Sequence, residues 1–339
     1  MKYDKPFKTY DELLDLMESR NITISDRTFA THVLSDVSYY TLINGYKDTF
    51  LSLSNSDLFI PGTKFDELYS IQILNENISA IFLKYILYIE RSLKSKISYT
   101  VSKNYGVYTN LNEHGDGYPD DYLYLKHYSS SNNKRKNILH KIRSAGLEPR
   151  NNLSLRHYSQ NKNHIPPWIL ITNVPFGLSI QWYGILKALD KDYVCQEMLR
   201  YTNIDLASKK ELLAKSLEIL KDYRNSMAHG SKTFAKVTRS ELPKKPLFLS
   251  CSSLLSSDEY NAGIGKNDLY SVLIIICLLI NDPYIHTNLF SDLFFIFDPY
   301  KQRNIRFCGK SIYEVFNIPE NFLERIKTFF NIKYSIHPK

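Results

Sequence analysis

Residues 66–104 read DELYSIQILNENISAIFLKYILYIERSLKSKISYTVSKN. Leu74, Ile78, Phe82, Ile86, Ile89, Leu93, Ile97 and Val101 recur at spacings of three and four, which lays them along one stripe of an α-helix. Thr63-Lys64-Phe65-Asp66-Glu67, preceded by Pro61-Gly62, resembles a capped helix start. A stripe this long needs partners along its whole length, so the fold class is set as all-α. Glu90 and Lys94 stand four apart beside the stripe. They read as a supporting ion pair on the helix surface or as groups at the mouth of a site.

The same period extends outward. Upstream, Leu13, Leu14 and Met17 share a face within residues 10–20, and a second short helix is expected over 27–34. Asn44-Gly45 reads as a turn. Downstream, helices are expected over 167–174, 178–188, 191–200 and 208–229, with Gly230 as a C-terminal cap to the last. Beyond a polar basic loop at 230–246 they recur over 267–281, 286–296, 310–316 and 319–332, and short strands are admitted at 246–250 or 304–308. Residues 105–165 differ: they are rich in Asn, Ser, Tyr and His and carry many cations. They read as a polar insertion with a short helix over 134–144, and as a solvated or mobile surface region. The expected organisation is therefore an N-terminal helical element (1–62), a first helical part (63–105), a polar basic insertion (106–165), a second helical part (166–232) and a C-terminal helical region (233–339).

Composition narrows the class of protein. The chain has 339 residues, 43% of them hydrophobic and 14% aromatic, with 26 Tyr against 12 Gly. That is too apolar for a disordered chain and too poor in Gly for a fibrous one. The four cysteines, Cys195, Cys251, Cys277 and Cys308, are far apart and form no metal-binding pair or disulfide framework. Leu269–Ile280 is the longest apolar run, short of a membrane span, and reads as a buried helix. The N-terminus has no apolar signal core, so a soluble cytoplasmic protein is expected. A net charge of +8 leans toward polyanionic partners.

The chemistry concentrates in Tyr223-Arg224-Asn225-Ser226-Met227-Ala228-His229-Gly230, at the end of a well-patterned helix. Histidine exchanges a proton near neutral pH. Arginine grips a phosphate and stabilises charge developing on it. Asn225 and His229 are four apart and share a helix face, whereas Arg224 lies about 140° round the helix from His229. Arg224 and His229 therefore converge only through the arginine's reach, a distorted last turn or a second subunit. Arginine followed by histidine after four to six residues also occurs at Arg27/His32, Arg135/His140 and Arg150/His157. Only the Arg224 instance combines a following Asn, a helix and a terminal Gly. No Gly-rich phosphate loop or Gly-x-Ser-x-Gly element is present. His114, Asp116, Asp120 and Asp121 come nearest to a metal-ligand cluster and read better as a polar turn, so no metal and no cofactor is expected.

The Arg224-Asn225-x-x-x-His229 segment resembles the signature of HEPN ribonucleases, and the wider chain resembles the abortive-infection AbiD/AbiF family of phage-defence proteins. The matching residues include Lys5-Pro6-Phe7, Arg20, Tyr39-Tyr40-x-Leu42-Ile43-Asn44-Gly45-Tyr46-Lys47, Ile89-Glu90, Leu93-Lys94, His157-Tyr158, Pro166-Pro167-Trp168 and Phe176-Gly177. The resemblance is similar in kind to the HEPN domains of type VI CRISPR effectors. It implies an HEPN-type helical bundle and a metal-independent endoribonuclease (a toxin acting in the host cell) that cuts RNA through its 2′-hydroxyl. Arg224, Asn225 and His229 would be the catalytic residues: His229 as acid or base, Arg224 on the scissile phosphate, Asn225 orienting His229. With one motif per chain, the resemblance implies a composite site in a homodimer. A small noncoding regulatory RNA is a further implied partner, and no membrane partner is expected.

RNA contacts are expected from Lys134, Arg135, Lys136, Arg150, Arg156 and Lys94, with Tyr122, Tyr124, Tyr128 and Tyr158 interleaved as stacking platforms or, alternatively, as buried tyrosines. Lys126, Lys141 and Arg143 add charge to the same stretch. The alternative function is a catalytically silent HEPN module that binds RNA or protein within a defence or toxin–antitoxin system.

Overall fold

The computed structural model describes residues 5–52, 57–149 and 151–335, and the side chains of residues 44, 46 and 48 also fall outside it. Arg150 therefore lies outside the described residues. The N-terminal element comprises α1 (Tyr10–Glu18), α2 (Arg27–Asp36) and α3 (Gly45–Phe50). The long helix is α4 (Phe65–Tyr105). It is followed by α5 (Arg135–Leu147), α6 (Leu153–Asn161), α7 (Pro167–Leu170), α8 (Phe176–Ile185), α9 (Ala188–Met198) and α10 (Leu206–Ala228). The C-terminal region holds α11 (Lys244–Cys251), α12 (Ser257–Asn261), α13 (Leu269–Leu279), α14 (Pro283–Gln302), α15 (Ile312–Phe316) and α16 (Phe322–Ser335). The sheet among the described residues is one antiparallel pair, β1 (Arg306–Phe307) with β2 (Lys310–Ser311). The all-α class follows directly.

Helix α4 is the post of the molecule. Its 41 residues span about 60 Å at 1.5 Å per residue. Leu74, Ile78, Phe82, Ile86, Ile89, Leu93, Ile97 and Val101 are all buried, as their period requires. Helices α7, α8, α9 and α10 pack against α4 from the middle of the chain, and α13 and α14 from the C-terminal region. All eleven residues of α13 are buried, which places the longest apolar run inside the protein. Among the described residues no helix is long and apolar enough to cross a membrane.

Local signals set most helix starts. Thr9 and Glu12 form a reciprocal capping box on α1, and Ser311 with Glu314 does so on α15. Asp205, Asp268 and Asp282 cap α10, α13 and α14 with their carboxylates. The expected cap at Thr63 is not made: Lys64 precedes the first turn of α4, and the Thr63 hydroxyl donates to the Ile60 carbonyl instead. That start is held by backbone pairing with Thr23, whose N–H bonds the Thr63 carbonyl and whose carbonyl accepts from Phe65 N–H.

Three other expectations are corrected. Asn44-Gly45 is not a turn: Tyr40–Asn44 form a π-helical turn that runs on into α3, and Gly45 keeps a right-handed helical backbone. Residues 246–250 lie in α11 rather than in a strand. The insertion is not a solvated loop region. Tyr122, Leu123, Tyr128, Ile138, Leu139 and Ile142 are buried, and Arg143 pairs with Asp121 at 2.9 Å with both side chains almost wholly enclosed. Arg143 also donates to the Leu123 carbonyl, so it is a structural cation and not a surface contact for RNA.

Candidate active site

The last turns of α10 bring the motif residues to the surface while Leu212, Leu213, Leu217, Leu220, Tyr223 and Met227 bury the opposite face. His229 is the C-cap, and Gly230 follows with φ +64. Gly230 N–H bonds the Met227 carbonyl and Ser231 N–H bonds the Ser226 carbonyl, the pairing of a Schellman end. The chain beyond is strapped down. Tyr223 donates its hydroxyl to the Lys236 carbonyl, and Lys236 donates its ammonium to the Asp222 carbonyl and the Ser226 hydroxyl. Thr233 donates its N–H and its hydroxyl to Asn75 Oδ1 on α4, and contacts Ser79. His229 is thus exposed on a firmly anchored corner.

Arg224 turns toward α4. Its Nε lies 3.9 Å from Glu90 Oε2, and Lys94 Nζ holds the other carboxylate oxygen at 2.7 Å. Glu90 and Lys94 are largely enclosed, so the pair is not the surface bridge that their spacing alone suggested. The 3.9 Å separation is within Coulombic reach but beyond a hydrogen bond. Both Arg224 Nε and Glu90 Oε2 are buried without a hydrogen-bond partner. Buried polar atoms without a partner are uncommon in folded proteins. Two cations, Arg224 and Lys94, thus face one carboxylate here.

The structure brings Arg224, Glu90 and Lys94 together. It does not bring Asn225 and His229 into side-chain contact; both are exposed, and neither makes a side-chain hydrogen bond among the described residues. The expected divergence of Arg224 and His229 around the helix is present: one points onto α4, the other caps the end. The insertion cations do not join this group. Arg135 donates to the Tyr128 carbonyl at 3.1 Å and Lys136 pairs with Asp116 at 3.0 Å, both inside the insertion. Lys134 and Arg156 are exposed on α5's N-terminal flank and on α6. Of the four tyrosines, Tyr122 and Tyr128 are core. Tyr122 donates to the Ile165 carbonyl, and Tyr128 donates to the Tyr122 carbonyl while accepting from Trp182 Nε1. They cannot stack on RNA. Tyr124 and Tyr158 are half-buried. Among the described residues no group of three His, Cys, Asp or Glu side chains is placed to hold a metal.

Residues 32–235, more than half of the chain, match the Abi-like protein family, and the matched span contains α4, α10 and the whole Arg224–His229 corner. The chain belongs to the Abi-like protein family. No curated protein and no solved structure matches it. Membership in this family links the chain to abortive-infection phage defence. The region from α11 to α16 lies outside the Abi-like span, yet α13 and α14 pack on the same long helix that carries Glu90.

From the sequence, Lys94 stands among the expected RNA contacts, and Glu90 with Lys94 reads either as a supporting ion pair or as groups at the mouth of a site. The structure shows that Glu90 links Lys94 to Arg224. The signal was present as a charged i, i+4 pair beside the apolar α4 stripe, but its partner Arg224 lies 134 positions away in the chain, and no local pattern reports that.

Proposed function

We propose that the chain is an HEPN-type endoribonuclease of abortive-infection defence that cuts RNA through its 2′-hydroxyl without a metal. The observation that carries this reading is the pairing of an exposed His229, on a fixed helix end, with an Arg224 whose guanidinium faces Glu90 together with Lys94. The chemistry needs only these groups. A histidine takes the proton from the 2′-hydroxyl, the 2′-oxygen bonds to phosphorus, and the bond from phosphorus to the 5′-oxygen breaks. A second histidine returns a proton to the departing 5′-oxygen, leaving a 2′,3′-cyclic phosphate and a 5′-hydroxyl. Arginine stabilises the charge that builds on the phosphate oxygens.

One motif per chain supplies one histidine, so the acid and the base come from two copies facing across a two-fold axis. That arrangement also removes the need for Arg224 and His229 of one chain to converge. Asn225, exposed beside His229, is free to orient the imidazole of either copy. The test is RNA cleavage by the purified chain in excess chelator. The expected result is products ending in cyclic phosphate, and loss of cutting in Arg224→Ala and His229→Ala with unchanged helicity. RNA that is bound but left intact by the parent protein would overturn the nuclease reading and leave a silent binding module.

A further inference from the structure

A second feature lies along α4 within a helical turn of Glu90. Arg91, Lys94, Ser95 and Ser98 of α4 face Trp168 of α7 and the following Ile171 and Thr172 across a groove of about 390 Å³. This is within the range of small-ligand clefts. Trp168 is 47% exposed, although α7 packs firmly on α4. Pro166 and Pro167 start that short helix and fix its entry, so the indole is held at the surface by a rigid element. Arg91 is exposed beside it. Lys94 lines the groove, and its ammonium holds Glu90 2.7 Å away. The groove and Arg224 are therefore joined through a single carboxylate.

We propose that this groove is a subsite for an unpaired nucleobase, with Trp168 as the stacking platform and Arg91 on the flanking backbone. An aromatic face beside cations is the usual means of holding single-stranded nucleic acid, and it tolerates any base because every base has a π-face. A paired base cannot enter, because its faces are already stacked. The inference rests on the RNA-cutting reading for its purpose but not for its test. If both hold, the base next to the scissile phosphate is seated in the groove while the phosphate meets Arg224, and the chain selects unpaired RNA.

The protein carries its own reporter. It has two tryptophans, and Trp182 is wholly buried, with Nε1 donating to Tyr128 at 3.1 Å. The full-length chain is titrated with a short single-stranded RNA carrying 2′-O-methyl groups throughout, which cannot be cut. Saturable quenching of tryptophan fluorescence is expected. It should persist in Trp182→Phe, provided that variant keeps its helicity. Trp168→Ala should lose the quenching and weaken binding roughly tenfold or more, while Trp168→Phe restores most of the affinity. The same sequence as a duplex should not quench. Unchanged affinity in Trp168→Ala, or equal quenching by duplex, would overturn the subsite. Quenching by a chain that never cuts RNA would sustain the subsite and sink only the nuclease. Normal cutting with Trp168→Ala binding unaltered would do the reverse.

Discussion

Glu90 shows how a single carboxylate can organise a cationic centre. Left alone with Arg224 it would neutralise the guanidinium. Shared with Lys94, it faces two cations at once. Replacing it by Gln keeps the shape and removes the charge. Removing one partner of an enclosed ion pair leaves the other charge uncompensated, so on the proposed nuclease reading Glu90→Gln should slow RNA cleavage about tenfold or more and also lower the thermal midpoint. Single-turnover rates at saturating RNA measure this. Rates equal to the parent would show that Arg224 needs no positioning. Arg224→Lys should fail as well, since an ammonium lacks the planar fork that matches a phosphate.

Among the elements, the end of α10 matters most. Gly230 sits in the left-handed region with open space where a Cβ would stand, so an alanine there meets strain rather than a clash. Gly230→Ala should cost about 1 kcal/mol, and Gly230→Asn less, because Asn tolerates that backbone. Denaturant midpoints test the ranking; an alanine variant as stable as the parent would contradict the Schellman assignment. This end was legible in the sequence because a stripe, a histidine and a glycine mark it together. So were α4 and α13, whose periodic or continuous apolar runs admit one reading each. Helix α11 was not, because Pro246-Leu247-Phe248-Leu249-Ser250 is too short to show a period, and its helix forms through packing against α10 and α13. The short helix of the insertion was legible, but its enclosed core was not, for a related reason. Its polar composition hides a few large apolar side chains, and Tyr122 and Tyr128 look alike to a surface platform and to a hydrogen-bonded core. Which tyrosine is buried depends on contacts with Ile165 and Trp182, more than 40 positions away. Trp168, the better platform, stands alone in an apolar run and carries no local sign of exposure.

Across the whole molecule, long-range ion pairs tie the C-terminal region together. Arg325 of α16 forms a two-point pair with Glu259 of α12 at 2.7 and 2.8 Å. The hydrogen bonds from Arg325 hold the Glu259 carboxyl down to about 2, from an ordinary 4.5. A carboxylate whose folded value is depressed stabilises the fold above its unfolded value and loses that contribution as pH falls toward the folded one. The stability gap between the parent and Arg325→Gln should therefore be full above about pH 4.5 and close as pH drops toward 2, read as the difference in urea midpoints. A gap that stays constant with pH would mean that Arg325 acts through packing and its bond to the Leu254 carbonyl, and not through Glu259.

The long helix has a consequence for where this protein can be divided. The Abi-like span stops at residue 235, but one flank of α4 is covered by α13 and α14 from beyond that point. Lys333 near the end of α16 binds three carbonyls where α13 finishes. The Abi-like segment is thus not a detachable module. A fragment cut at the family boundary would bare an oily seam along its own central post, and the chain beyond residue 235 serves as its permanent cladding.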